Sequence, residues 1–451
     1  MKRKSWLITA AVAILAVAGI GYGVRSNHYQ DRFLPKTEAL GVDLSGKTVK
    51  QADAKMKAQL ADVNYQLKDG GKTVATVSGQ TLGLKRDYTT MLNKLLSKQN
   101  PWGFSAVVLA QSDKTALASS ADSAEIKQYA NAEAAKLNAS RTAPVDAKVV
   151  LTNDSYNIEK EKPGNQIDAA KLAEALAGAI QANRHTVALK QTFAQPKAKA
   201  SDQALKDAVS KLQAMGDIKA VVTVTNHQEQ ISSDRLKSWL SYSDGSVQVD
   251  RGGVAKFVSE LADKYNTYNK SRQFHSTKQG TVTVPAGTYG WSIMQSKETD
   301  ALIALIKAGK DFTQPVLHQG TGYHADGTDI GSTYLEVDRE NQHEWLYQNG
   351  KVVLDSAVVT GKPATPTPSG VFAVWSKQRN ATLVGEDYRT PVNYWMPIDN
   401  TGVGLHDASW QPTFGGTWYQ QHGSHGCVNQ PPAFMPKLFA AVAVGTPVIV
   451  I

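Results

Sequence analysis

Residues 422–429 read HGSHGCVN and hold the only cysteine of the 451-residue chain. A thiolate is a strong nucleophile, but a free thiol has a pKa of about 8.5, so it needs a base or a lowered pKa to act at neutral pH. Three histidines are candidates: His422, His425, and His406 in GLHDASW. His425 is two positions from Cys427. Residues two apart in an extended segment share a face, so contact is allowed at a poor angle. His406 would have to arrive from a neighbouring strand, as triad partners do. Glycine lets backbone approach a substrate, and the N–H groups of Gly426 and Cys427 are expected to face a developing oxyanion. A helix expected from Pro431 would add the positive end of its dipole near the thiol.

Blander readings compete. A structural cysteine usually sits among apolar neighbours, whereas this one sits among Gly, His and Ser. A zinc site from His422, His425 and Cys427 has gaps too tight for three ligands of one tetrahedral ion, and no second ligand pair is evident. Neither metal nor cofactor is therefore expected. His422 is read as a surface residue, because a base must reach its proton geometrically. Trp395, Trp410 and Trp418 are read mainly as core, with one lining the cleft.

The rest of the chain must position this cluster. Lys2, Arg3 and Lys4 precede an uncharged run from Ser5 to Val24. As a helix that run covers about 30 Å, the thickness of a bilayer core. It predicts a single-pass anchor over residues 1–26 with a cytoplasmic N-terminus and everything after it outside the cell, a cleaved signal peptide being the rival. An exported chain with one cysteine cannot form an internal disulfide, which again marks Cys427 as reactive. The net charge of +9 is uneven, since residues 331–451 carry seven Lys+Arg against nine Asp+Glu. The basic part suits an anionic wall polymer or a lipid headgroup, and nucleic acid is not expected.

Helical periodicity marks 48–60 and 86–98, and β-branched runs mark 148–152, 220–225 and 280–285, an α+β pattern. EKPGNQIDAAKLAEALAGAI (161–180) repeats as GTYGWSIMQSKETDALIALI (287–306), with Gly164 on Gly290, Ile167 on Ile293 and Ile180 on Ile306. Each copy reads as a glycine turn, a strand-like residue and an amphipathic helix. Two modules are expected, 33–195 with a helical insert at about 85–140, and 200–318. After the glycine-rich 318–331 the character changes to strands separated by Asn-Gly, Gly-Lys and Pro turns. A mainly-β sandwich or barrel with one late helix is expected over 330–451.

These residues resemble an L,D-transpeptidase catalytic domain of the YkuD type. The family motif is a histidine, a variable gap, then Ser/Thr-His-Gly-Cys, one residue, and Asn or Arg. Here it reads His406, then Ser424-His425-Gly426-Cys427-Val428-Asn429. The upstream stretches FLPKTEALGVDLSGKTVKQADAKM and GTYGWSI are similar to peptidoglycan-binding modules that precede this domain. The resemblance implies that Cys427 attacks the carbonyl between residues three and four of a peptidoglycan stem tetrapeptide, that D-Ala leaves, and that a second stem's amine resolves the thioester into a 3→3 cross-link. It implies His406 as base, oriented by the backbone carbonyl of Asp407. His425 and Gly426 would shape the oxyanion site, with Ser424 and Asn429 bracing the loop. It also implies acylation by carbapenem-type β-lactams. Water as acceptor would make an L,D-carboxypeptidase, and an inert domain would make a wall-binding scaffold.

Overall fold

The computed structural model describes residues 2–59, 63–104, 108–109, 119–120, 123–385 and 388–451. The chain divides into two compact units: Met1–Ala147 with Lys160–Ala200, and Lys148–Glu159 with Ser201–Ile451.

The N-terminal run forms a helix, Lys2–His28. The expected membrane anchor is nevertheless corrected: among the described residues no helix is long and apolar enough to cross a membrane. The last turns of the N-terminal helix engage this chain's own residues instead. The Tyr22 hydroxyl donates to the Trp102 carbonyl, and the Arg25 guanidinium lies 4.4 Å from the centre of the Phe104 ring. The transmembrane fold class and the single-pass membrane localisation fall with the anchor.

The repeat folds twice in the same way. In the first unit the hairpin Asn64–Asp69 and Lys72–Ser78 gains a third strand, Thr186–Ala188, parallel to Asn64–Asp69. In the second unit the hairpin Ala220–Val224 and His227–Ile231 gains Phe312–Pro315, parallel to Ala220–Val224. A helix pair covers each sheet, Ser123–Asn138 with Ala169–Gln181 and Arg251–Tyr265 with Gln295–Ala308. The shared glycines serve close backbone approach. A Cβ on Gly164 would come within 2.3 Å of Pro144 N, and one on Gly290 within 2.6 Å of the Tyr268 backbone. Of the expected insert at about 85–140, helices Thr89–Ser97 and Ser123–Asn138 form. Residues 105–107, 110–118 and 121–122 of it lie outside the described residues. The hairpin Lys148–Thr152 and Ser155–Glu159 belongs to the second unit, where Tyr156 is buried and its hydroxyl donates to Lys237 O at 2.7 Å.

Beyond residue 331 the chain is mainly β. Its strands are β1 Tyr334–Asp338, β2 His343–Gln348, β3 Lys351–Ala357, β4 Gly370–Ala373, β5 Gln378–Val384, β6 Arg389–Pro397, β7 Gly404–Asp407, β8 Val428–Gln430 and β9 Pro447–Val450. They form a five-stranded sheet in the order β3-β2-β1-β9-β4 and a four-stranded sheet in the order β5-β6-β7-β8. Pairs β1–β9 and β7–β8 are parallel, and the remaining pairs are antiparallel. The β2–β3 turn is Asn349-Gly350, both at positive φ (49° and 76°), as a tight hairpin requires. Leu335, Val337, Leu346, Met396, Leu405, Val428 and Val448 fill one core that joins the two sheets, closed by Leu438 of the helix α2, Met435–Ala441. A four-residue helix, α1 Tyr419–His422, precedes it.

Candidate active site

Alternation along β7 and β8 sets the site. The two strands run parallel with Leu405 opposite Val428 and His406 opposite Asn429. Leu405 and Val428 enter the core, so their neighbours point the other way. Cys427 stands one residue before β8. Cys427 and His406 both line a cavity of about 410 Å³, with Tyr388, Trp410, Ser424 and His425.

His406 is 3% exposed. Its Nδ1 lies 2.9 Å from the Asp407 carbonyl oxygen. A carbonyl only accepts, so Nδ1 carries the hydrogen and Nε2 keeps a free lone pair. Burial pushes the imidazole below its ordinary value, and the Asp407 carbonyl only partly offsets this. His406 is therefore neutral in the resting site. The Asp407 carboxylate is engaged elsewhere. It accepts from Tyr394 N at 2.8 Å and from Asn393 N and Nδ2 at 3.2 and 2.8 Å, which ties β7 to β6.

Cys427 is partly exposed as a residue, but its sulfur is desolvated, and burial pushes the thiol up to about 11. The Gly404 N–H acts the other way on the sulfur, and Asp399 adds to the rise. The thiol lies 3.7 Å from the Gly402 carbonyl and donates to it. The helix expected from Pro431 gives no help. It begins at Met435 and runs only seven residues, with β8 between it and the cysteine. Pro431–Phe434 form a turn closed by Phe434 N on Pro431 O.

The loop around the thiol is tightly bonded. Ser424 Oγ donates to Cys427 O at 2.5 Å and accepts from Gly426 N at 3.0 Å. Ser424 O accepts from Lys362 N and Thr365 Oγ1. Gly426 has φ 127°, and a Cβ there would meet Val403 at 3.2 Å. Its N–H is thus already used by Ser424. The Cys427 N–H makes no hydrogen bond among the described residues. Asn429 is buried, exchanges backbone bonds with Val359, and leaves Oδ1 without a partner among the described residues.

The other two histidines line the same cavity, each stacked on an aromatic neighbour. His425 is exposed and stacks on Tyr388 with ring centres 5.3 Å apart. His422 is exposed and stacks on Trp418 at 3.6 Å, and its carbonyl accepts from Gln411 Nε2. Trp395 and Trp410 instead flank His406, at 5.9 and 5.7 Å. Among the described residues no group of three or more His, Cys, Asp or Glu is placed to hold a metal ion. Sequence reasoning missed the loop 399–404, where the Asp399 carboxylate accepts from Thr401 N and Val403 N and so aims Gly402 and Gly404 at the sulfur. Its signal was present in TGVGLHD, whose glycines lie just before the histidine.

A buried imidazole on one strand and a thiol beside the next thus line one cavity on a two-sheet β scaffold. Comparison with known proteins gives the chain a family. Residues 332–450 match the L,D-transpeptidase catalytic domain, and residues 75–188 and 205–314 each match the family described as "Putative peptidoglycan binding domain". The chain is 49% identical to a crystal structure of an Enterococcus faecium L,D-transpeptidase mutant, covering 54% of this chain and 100% of that one with a TM-score of 0.50. It is 50% identical to the Ldtfm–avibactam carbamoyl enzyme, covering 55% and 98%, again with a TM-score of 0.50. Over 137 residues it is 29% identical to L,D-transpeptidase 1 of Mycobacterium tuberculosis, covering 28% of this chain and 53% of that protein. It thus spans about half the length of that curated relative. The chain belongs to the L,D-transpeptidase family.

Proposed function

We propose that this chain is a peptidoglycan L,D-transpeptidase with Cys427 as nucleophile and His406 as base. The observation that carries the reading is the 2.9 Å contact of His406 Nδ1 with the Asp407 carbonyl, which calls for the tautomer with Nε2 unprotonated, in a residue that lines the same cavity as Cys427. Nε2 takes the thiol proton as Sγ attacks the carbonyl between residues three and four of a stem tetrapeptide, and returns it to the nitrogen of the departing D-Ala. A thioester remains. The amine of a second stem attacks it, Nε2 takes that proton, and the thiol is regained as the 3→3 bond forms. The free Cys427 N–H faces the oxyanion. Gly426 supports the turn rather than donating, because Ser424 occupies its N–H. Ser424 and Asn429 brace the loop, and His425 borders the cavity on Tyr388. The two upstream repeats hold the wall polymer. A carbapenem-type β-lactam acylates the same sulfur, its ring amide taking the place of the stem bond.

The test is mass spectrometry of the protein mixed with disaccharide-tetrapeptide, with Cys427→Ala beside it. A dimer lighter than two monomers by one molecule of D-Ala, absent in the variant, is expected. Tripeptide monomer alone would mark a carboxypeptidase. Unchanged substrate in both samples, with no adduct from a carbapenem, would overturn the reading.

A further inference from the structure

Strand β2 buries an acid that has no ionic partner. Glu344 is fully buried, and its Oε2 accepts from Gln430 Nε2 at 2.7 Å. Gln430 ends β8, three residues after Cys427 and on the other sheet. This bond therefore ties the two sheets together directly behind the nucleophile loop. Among the described residues, Glu344 Oε1 and Gln430 Oε1 have no partner. An ionised Glu344 would set three oxygens against one amide NH₂ in a dry site, without a counter-charge. One proton on the carboxyl converts this into a reciprocal acid–amide pair: Gln430 N–H to Glu344, Glu344 O–H to Gln430 Oε1. Burial pushes the Glu344 carboxyl up to about 8, and the Gln430 bond only partly opposes it.

We propose that Glu344 is a positioning residue, a neutral acid whose pairing with Gln430 fixes β8 and through it the Cys427 thiol relative to His406. The catalytic half of this statement rests on the proposed function above. The protonation state and the tie do not.

The neighbouring charges leave the acid alone. Within the sheet Glu344 pairs with Val337 and Ser356, neither of them titratable. Glu336 and Asp355 pair with Trp345, and Asp338 with His343, so all three lie on the opposite face. Glu336 is bonded to Ser276 and Thr277, Asp338 to Gln279, and Asp355 to His343. Across from Gln430, Asp407 is bonded to Asn393 and Tyr394, and His406 to Asp407 O.

The experiment compares wild type, Glu344→Gln and Glu344→Leu as full-length protein. Carbon-13 NMR of glutamate-labelled protein, with the Glu344 signal assigned by its loss in E344Q, should show a neutral carboxyl at neutral pH that titrates in the alkaline range. Carbapenem acylation rates should fall on the alkaline side for wild type relative to E344Q, which has nothing to ionise. E344Q should stay within about twofold of wild type at neutral pH, and E344L should lose on the order of 10-fold or more, the scale of a sub-ångström misplacement. An ionised Glu344 at neutral pH would overturn the proposal, and so would superimposable pH profiles for wild type and E344Q. Should E344L fail to fold, the E344Q comparison and the NMR titration still decide. If no variant is acylated at any pH while the carboxyl titrates as expected, the proposed function fails and the neutral tie survives.

Discussion

Replacing Glu344 by glutamine should make the protein more stable at neutral pH, and the gain should have a particular pH dependence. The native carboxyl titrates at about 8, raised by burial from its ordinary 4.5. Between those values the unfolded chain has released the proton and the native chain still holds it. Wild-type stability therefore falls as pH rises through this window, by ~1.4 kcal/mol per pH unit. At pH 7 the cost is ~3 kcal/mol, and it levels off at ~5 kcal/mol above the native pKa. The amide that E344Q introduces never ionises and offers both an N–H and a carbonyl to Gln430, so it escapes the cost while keeping the tie. For a unit of this size ~3 kcal/mol corresponds to roughly 6–12 °C in Tm. Calorimetry of both full-length proteins would show the shift in the transition of the unit that contains residue 344. The difference should vanish near pH 4.5, grow above it and level off above about pH 8. Equal Tm values at neutral pH, or a pH-independent loss in E344Q, would refute the reasoning, since either requires a carboxylate well solvated or paired in the native state.

Cys427→Ser should abolish the covalent carbapenem adduct seen by mass spectrometry while leaving Tm within about 2 °C, since the hydroxyl is close to the thiol in size and can make the same bond to the Gly402 carbonyl. His406→Ala should slow acylation by ~10²–10⁴, the usual worth of a general base, whereas His422→Ala, which removes a surface stack on Trp418, should change it less than about threefold. Iodoacetamide should label Cys427 slowly at neutral pH and faster as pH climbs toward about 11, because the resting thiol is neutral. On the acid side, acylation should hold until below the ordinary histidine range, since burial lowers the pKa of His406 and the neutral imidazole is the active form.

The cluster that lines the cavity was legible because its residues are few and oddly placed: one cysteine among glycines and histidines, with a further histidine in a glycine-flanked strand. The repeat was legible because the glycines at 164 and 290 each meet another backbone, which leaves no substitute at either position. Other features depend on partners far apart in sequence. The Glu344–Gln430 bond spans 86 residues and two sheets, and in the linear reading HEWLYQNG showed only a strand. The expected helix start at Pro431 failed because prolines also suit the short turn that lets the chain leave β8 before α2. The contacts of the N-terminal helix were not legible either, since its last turns carry Tyr22 and Arg25 onto residues 102–104, about 80 positions away.

Burial acts in opposite directions on the two reacting groups, raising the thiol to about 11 and lowering the imidazole below 6.5. Both shifts favour a neutral thiol beside a neutral imidazole in the resting site, and the thiol donates to the Gly402 carbonyl. In the mechanism we propose, charge separation becomes accessible only when a carbonyl carbon arrives to receive the sulfur's electrons and the Cys427 N–H stabilises the oxygen that gains them. Proton transfer and attack are on that proposal one event, timed by the substrate. An idle thiol protected in this way resists stray electrophiles, and its reactivity is reserved for an acyl donor that can fill the oxyanion position.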